Sequence, residues 1–429
     1  MRKIHLAWFS GKGEGVTPSP GYDPLDPQLY IDVARLCERF KLDMCLIGDT
    51  LAIANQYRGS HDYYVESGRG LQNPMDPIPL MAAMAVHTSR IGLAATISTT
   101  FTHPYTVSRA LSTLDHISRG RIGWNVVTSW SSLAAQNYGI EEIPPHDTRY
   151  DMADEYLAAC RALWQTWDPD ARFEDRTDGR FADPSKVRPA HFKGKYYSTR
   201  GPLNIPASPQ GRPALIMAGA SPRGRRFAVE NTDALIAHLN SVEDMAAYTK
   251  SIRTQLSDSG RDPKSCKVFY AIKPILGETM AIAQERNEAL NDMAKLENGL
   301  ATLSDNMGHD LSKYPLDEPL PSDLEQRAVQ GKFDQYHIRE GRGPTLREMA
   351  MHEARNLSWE IVGTPEHVAD VLIDAAERAD IDGFHVRAGY TNYRYCAEFL
   401  TKVVPELQRR GAFRTEYSGN TLRDHLNEY

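Results

Sequence analysis

Two short β-branched runs, Ile91–Ser98 and Arg121–Thr128, flank an amphipathic stretch, Tyr105–Ile117. Apolar runs of that length read as strands, and the stretch between them reads as a helix. A strand–helix–strand unit requires parallel strands with the helix laid across one face. The same alternation recurs along the chain. Further strands are expected at Ile4–Phe9, Asp43–Asp49, Ala214–Ala218, Ala234–Leu239, Val268–Leu276 and Asp382–Arg387. Helices are expected at Gln28–Phe40, with Leu29, Val33, Leu36 and Phe40 on one face, and at Pro79–Thr88 and Arg149–Trp167. Others follow from Arg225, and at Val242–Ser257, Glu278–Leu296, Leu346–Asn356, Thr364–Ala379 and Asn392–Arg410.

Eight strands, each followed by a helix, predict an α/β fold of the (β/α)8 TIM-barrel type. The rival is an open doubly wound sheet, which would carry a glycine-rich dinucleotide turn after its first strand. Ser10-Gly11-Lys12-Gly13-Glu14-Gly15 follows that strand and fits neither GxGxxG nor the phosphate loop, so it reads as a flexible loop over a site. The period fails in three places: near residues 50–77, 168–209 and 299–345. These are expected to be insertions, the first and last acting as lids, in one barrel domain spanning residues 1–429.

Composition narrows the function. The chain has 429 residues, 41% of them hydrophobic, so a full core can form; a formal charge of −7 argues against nucleic acid and anionic membrane surfaces as partners. Five scattered cysteines form no CxxC or Cys/His cluster, so neither a disulfide framework nor a zinc site is indicated. No apolar leader or membrane-length run is visible, and a cytoplasmic protein is expected. His352-Glu353 lacks a second histidine at metalloprotease spacing, and no GxSxG elbow exists.

The central strands end in hydroxyls and amides: Thr96, Ser98 and Thr99 on one, Asn125, Thr128 and Ser129 on the next. In parallel α/β folds ligands gather at the carboxyl ends of strands, so these residues are expected to face a polar cofactor. Gly219-Ala220-Ser221-Pro222 turns a strand into a helix, with Ser221 at the cap and Pro222 at the first helical position. Free backbone N–H groups and the helix dipole make that turn a candidate anion site, with Arg223, Arg225 and Arg226 nearby; an ordinary capped helix is the alternative. His146 and Tyr150 are four apart at a helix start and can point the same way, either to a phosphate or into a cap. Asp49 ends the second strand, as a ligand contact or a turn residue.

The run Asp115-His116-Ile117-Ser118-Arg119-Gly120-Arg121 into Ile122-Gly123-Trp124-Asn125-Val126-Val127-Thr128-Ser129 carries a resemblance. So do His103-Pro104-Tyr105, His146-Asp147 with Arg149-Tyr150, Pro209-Gln210-Gly211, Ser221-Pro222-Arg223-Gly224 and Val404-Pro405-Glu406-Leu407. Together they resemble the bacterial-luciferase-like flavin monooxygenases, in the two-component branch of the nitrilotriacetate, dibenzothiophene-sulfone and long-chain alkane monooxygenases. The resemblance implies a homo-oligomeric barrel that takes reduced FMN (FMNH2) from a separate NAD(P)H:flavin reductase and uses O2 to oxygenate a small organic substrate. It implies FMN contacts at Asp49, Thr96, Asn125, His146, Tyr150 and Ser221, and no metal. The chain departs from the family pattern at Thr17-Pro18-Ser19-Pro20-Gly21-Tyr22, where relatives often carry Trp-Arg, and at His385, where they often carry Asn. His61, His103 and His385 are candidate acid–base groups, and mixed polar and aromatic lids with Arg58, Arg69 and Arg387 available permit a polar or anionic aromatic substrate. Two other functions fit the same fold: cleavage of riboflavin as a substrate, and flavin binding without catalysis.

Overall fold

The computed structural model describes residues 2–10, 23, 25–68, 75–219, 221–325, 328–341, 343–355, 358–387 and 393–429. Eight parallel strands form the barrel, numbered first to eighth: His5–Ser10, Met44–Ile47, Gly92–Ser98, Ile122–Val127, Ala214–Ala218, Ala234–Ala237, Lys267–Leu276 and Gly383–Val386. Each pairs with the next, and the ring closes where His5–Trp8 run beside Gly383–Val386. The hydrophobic pattern predicts these same eight strands.

Alternation along each strand sorts its side chains. Ala7, Phe9, Leu46, Ala94, Ile216, Ile236 and Phe269 form the inner cluster. Leu6, Trp8, Cys45, Trp124, Leu235 and Val268 belong to the larger core shared with the helices. Leu422 and Leu426, from the short helix Leu422–Leu426, pack into the inner cluster at the end where the strands begin. Gly92 admits them: a Cβ there would lie 2.4 Å from Leu422.

The same end holds a buried ionic cluster. Arg414 donates to Asp43 Oδ1 at 2.5 Å, His5 Nδ1 lies 2.8 Å from the same oxygen, and the Leu6 N–H donates to Asp43 Oδ2 at 2.8 Å. Burial alone would raise the Asp43 pKa; Arg414 and His5 outweigh it and hold the carboxyl below its ordinary range.

The insertions have more structure than their sequences suggest. Ala54, Tyr57 and Tyr64 share a separate core with Leu300, Leu303, Met307, Phe333, Tyr336 and Leu346. The Tyr64 hydroxyl donates to the Ala301 carbonyl at 2.9 Å, and Arg58 pairs with Glu297 at 2.7 Å. Residues 168–209 include two small antiparallel hairpins, Arg172–Asp175 with Arg180–Ala182 and Phe192–Lys193 with Ser198–Thr199.

Three expectations need correction. The helix expected at Glu278–Leu296 is two helices, Met280–Asp292 and Leu296–Met307. The first buries only Ala283 and lies against the barrel, whereas the second buries Leu300, Ala301, Leu303 and Met307 in the lid core. One straight helix cannot serve both. The boundary expected at residue 299 therefore falls inside the second helix, which packs into the lid core from Leu296 onward. A ninth strand, Trp359–Gly363, runs parallel to Ile272–Leu276 outside the ring. Among the described residues no helix is long and apolar enough to cross a membrane.

Asp43→Asn removes the nearer of two carboxylates from buried Arg414, leaving it only Glu428 at 3.1 Å, and a cost of about 3 kcal/mol is expected at pH 7. Because the folded pKa of Asp43 is depressed, its contribution is present above the unfolded value, about 3.9, and is lost as pH falls below it. Urea denaturation at pH 7 and pH 3.5 checks both points: the deficit of the variant should shrink at the lower pH.

Candidate functional site

The carboxyl ends of the strands open into a cavity of about 560 Å³, partly covered by the lid. Asp49, Thr96, Asn125, His146, Tyr150 and Ser221 all line it. Ser98, Thr128 and Ser129 line it too; Thr99 does not, being buried with its N–H donating to the Val127 carbonyl at 2.9 Å. The loop residues 11–22 and Arg69 lie outside the described residues.

One group of side chains forms around the start of two helices. Ser221 caps the helix Pro222–Asn231, its Oγ accepting the Gly224 N–H at 3.0 Å. Gly224 is bare for a reason: a Cβ there would sit 2.7 Å from the Tyr150 hydroxyl. Burial raises the Tyr150 pKa, opposed by hydrogen bonds with the Ser221 and Thr128 side chains. The helix carrying Tyr150 begins at His146, three residues before the expected start, and no side chain caps it. His146 packs edge-on to Tyr150 with ring centres 5.1 Å apart, and Asp147 holds its Nδ1 at 2.6 Å.

Arg149, beside Tyr150, is buried in the cavity wall. One guanidinium nitrogen donates to the Pro144 carbonyl at 2.6 Å, while Nε has no partner. Among the described residues it pairs with no carboxylate, and burial pulls its pKa down. Arg223 differs from its expected role: Asp154 at 2.6 Å and Asp151 at 3.0 Å neutralise it, and it lies over the Tyr150 ring. Its charge holds two helices together instead of waiting for a ligand.

The third and fourth strands contribute a crosslink. Thr96 and Asn125 are register partners, and Asn125 Nδ2 donates to Thr96 Oγ1 at 2.9 Å, leaving Asn125 Oδ1 buried without a partner. Two carboxyls titrate close to neutrality. Burial, then Asp76, pushes Asp49 up to about 6; burial alone pushes Asp305, on the lid helix Leu296–Met307, up to about 7.

His238 after the sixth strand, His385 in the eighth and Arg387 just beyond complete the wall. Both nitrogens of buried His385 lack partners, each a cost of about 1–3 kcal/mol if nothing supplies one. Burial, then Arg387, then His238 hold it neutral. The His238 ring opens to the cavity, yet burial of its surroundings, Arg387 and Lys332 push it the same way. Of the other histidines considered, His61 is exposed beside Asp62, and His103 caps the helix Pro104–Ser118. Arg58 is held by Glu297.

Arg149, His238 and Asp305 are absent from the sequence-based candidates. His238 could have been found, since it follows a strand end as Asp49 does. Arg149 reads locally as a surface charge in a first helical turn, and the reach of Asp305 depends on lid packing. Among the described residues no three His, Cys, Asp or Glu side chains come together to hold a metal, and the five cysteines are buried and free.

Comparison with known proteins agrees with this geometry. The family model described as luciferase-like monooxygenase matches residues 4–382. The dibenzothiophene-sulfone monooxygenase of Rhodococcus erythropolis (strain XP) is 42% identical, over 99% of this chain and 97% of its own length. The crystal structure of a long-chain alkane monooxygenase is 34% identical with a TM-score of 0.87, covering 100% of this chain and 96% of that one. A riboflavin lyase solved with modified FMN and riboflavin is 29% identical with a TM-score of 0.91, at the same coverage. The family model covers most of the chain and the relatives match it nearly end to end, so this chain belongs to the luciferase-like monooxygenase family, and it is an oxidoreductase.

Proposed function

We propose that the protein is an FMNH2-dependent monooxygenase: a separate reductase supplies reduced FMN, and O2 provides the oxygen placed on a small organic substrate. The observation that carries this reading is the Ser221–Tyr150–Arg149 group. A capped helix start, a tyrosine hydroxyl and a buried arginine without a carboxylate match the demands of a phosphate. His146 adds a further ring beside Tyr150. Thr96 and the unpartnered Asn125 Oδ1 offer polar contacts to a ring system, and Asp49 a carboxyl near neutrality. The bound reduced flavin would supply the electrons for dioxygen activation. This chain's residues would hold its tail, orient its ring and exclude water under a lid with its own core.

A second reading makes riboflavin the substrate to be cleaved, favoured by the likeness to the riboflavin lyase. Product analysis separates the two: oxygenated substrate with intact flavin supports the first reading, and riboflavin fragments support the second. If FMNH2 and O2 yield no oxygenated product across a panel of sulfur, nitrogen and carbon substrates, the first reading fails.

Ser221→Ala and Tyr150→Phe should each weaken FMN binding by about tenfold, near 1.4 kcal/mol, and Arg149→Met by more. Quenching of flavin fluorescence on titration measures this, and unchanged affinities would remove the phosphate assignment. Asp305 gives a separate prediction. Its folded pKa lies above the unfolded value, about 3.9, so its contribution to stability is whole below that pH and is lost as pH rises through 7. Thermal melts of Asp305→Asn against the parent should therefore diverge in favour of the variant from pH 5 to pH 8.

A further inference from the structure

The lid helix Leu296–Met307 works on two faces. Leu300, Leu303 and Met307, spaced by three and four, are buried in the lid core. Ala301, Thr302, Asp305 and Asn306 occupy a neighbouring face at the same helical spacing and line the cavity. A cover that only excludes water needs an apolar underside. This one presents a carboxyl and a carboxamide on adjacent residues.

The groups around that pair are already satisfied. The Thr302 hydroxyl donates to the Asn298 carbonyl at 2.9 Å. Burial, then Asp305, raises the pKa of Tyr64. The Tyr64 hydroxyl donates to the Ala301 carbonyl at 2.9 Å and accepts the Tyr57 N–H at 3.2 Å. The Val329 N–H donates to the Asn306 carbonyl at 2.8 Å and ties the later lid segment to the same turn. Among the described residues, no hydrogen bond or ion pair reaches the Asp305 carboxyl or the Asn306 side-chain amide.

The chemistry of the pair selects its complement. Burial pushes Asp305 up to about 7, so below neutrality it carries a hydroxyl donor beside a carbonyl acceptor. Asn306 carries N–H donors beside a carbonyl acceptor. An anion leaves the acceptors unanswered, and a cation leaves the donors unanswered. Water answers both, and a ligand that displaces it has to replace those hydrogen bonds. A neutral group with a donor and an acceptor on one edge does so.

We propose that Asp305 and Asn306 form a recognition edge on the underside of the lid, and that it takes the neutral amide, lactam or urea group of a small substrate. The inference deepens the monooxygenase reading and rests on it for the word substrate. The flavin phosphate has its own candidate site at Ser221, Tyr150 and Arg149, on helices outside the lid. A flavin ring carries an amide-like edge of its own, and the experiment separates the two sources.

Calorimetric titration of the whole protein at pH 6 with benzamide, benzoate and benzylamine, with and without FMN, tests this. Benzamide should bind at least tenfold more tightly than either charged analogue. Asp305→Asn keeps a donor and an acceptor and should hold benzamide affinity within threefold. Asp305→Leu and Asn306→Leu should each lower it at least tenfold, with thermal melts showing the variants folded. The probe ranking on the parent and the Asp305→Asn result decide the matter where a leucine variant fails to fold. The proposal is overturned if no probe binds, if a charged analogue binds as well as benzamide, or if benzamide affinity survives Asp305→Leu. Stoichiometric displacement of benzamide by FMN would assign the edge to the flavin ring and overturn it equally. The underlying flavin reading fails separately: FMN that does not bind, with the benzamide preference intact, removes the cofactor and leaves the edge.

Discussion

Closure of the parallel ladder is the constraint from which the rest follows. Each of the eight strands hydrogen-bonds to two neighbours within the ring, which shuts between the first strand and the eighth. Because all eight run the same way, every carboxyl end arrives at one rim. Side chains as distant in sequence as Asp49, Asn125, Ser221 and His385 then line one cavity. The opposite rim is closed by other means. Leu422 and Leu426 fill the bore, and Asp43 with Arg414 and His5 ties chain segments together beneath it. Stability sits at one end of the barrel and chemistry at the other.

The chemical end has a graded electrostatic character. Arg149 and the Ser221 cap offer positive potential to a phosphate. Asp49 and Asp305 are carboxyls that can hold or release a proton near neutrality. His238 and His385 are kept neutral beside Arg387. Titratable groups of different character thus share one cavity, each held in its state by its own surroundings.

The barrel was legible because its signals are local. Short β-branched runs such as Ile91–Ser98, and cap pairs such as Ser221-Pro222 and Thr364-Pro365, state their structure within a few residues. Polar strand ends pointed to Thr96 and Asn125 for the same reason. Features decided by tertiary packing were not legible. The break between Asp292 and Leu296 follows from two helices serving two cores. The pairing of Arg223 with Asp151 and Asp154 joins helices about 70 residues apart, so its charge looked free in sequence. Trp359–Gly363 is a strand because the seventh strand is long enough to offer it an outer edge.

The lid's private core has a dynamic consequence. Tyr57 and Tyr64 come from one insertion; Leu303, Met307 and Phe333 come from another more than 200 residues later, and they bury one another. Neither segment can peel away without exposing the apolar face of its counterpart, so the two are thermodynamically coupled. Amide exchange in both should slow together when a ligand fills the cavity. Access to the cavity is then governed by one cooperative unit and not by two independent flaps.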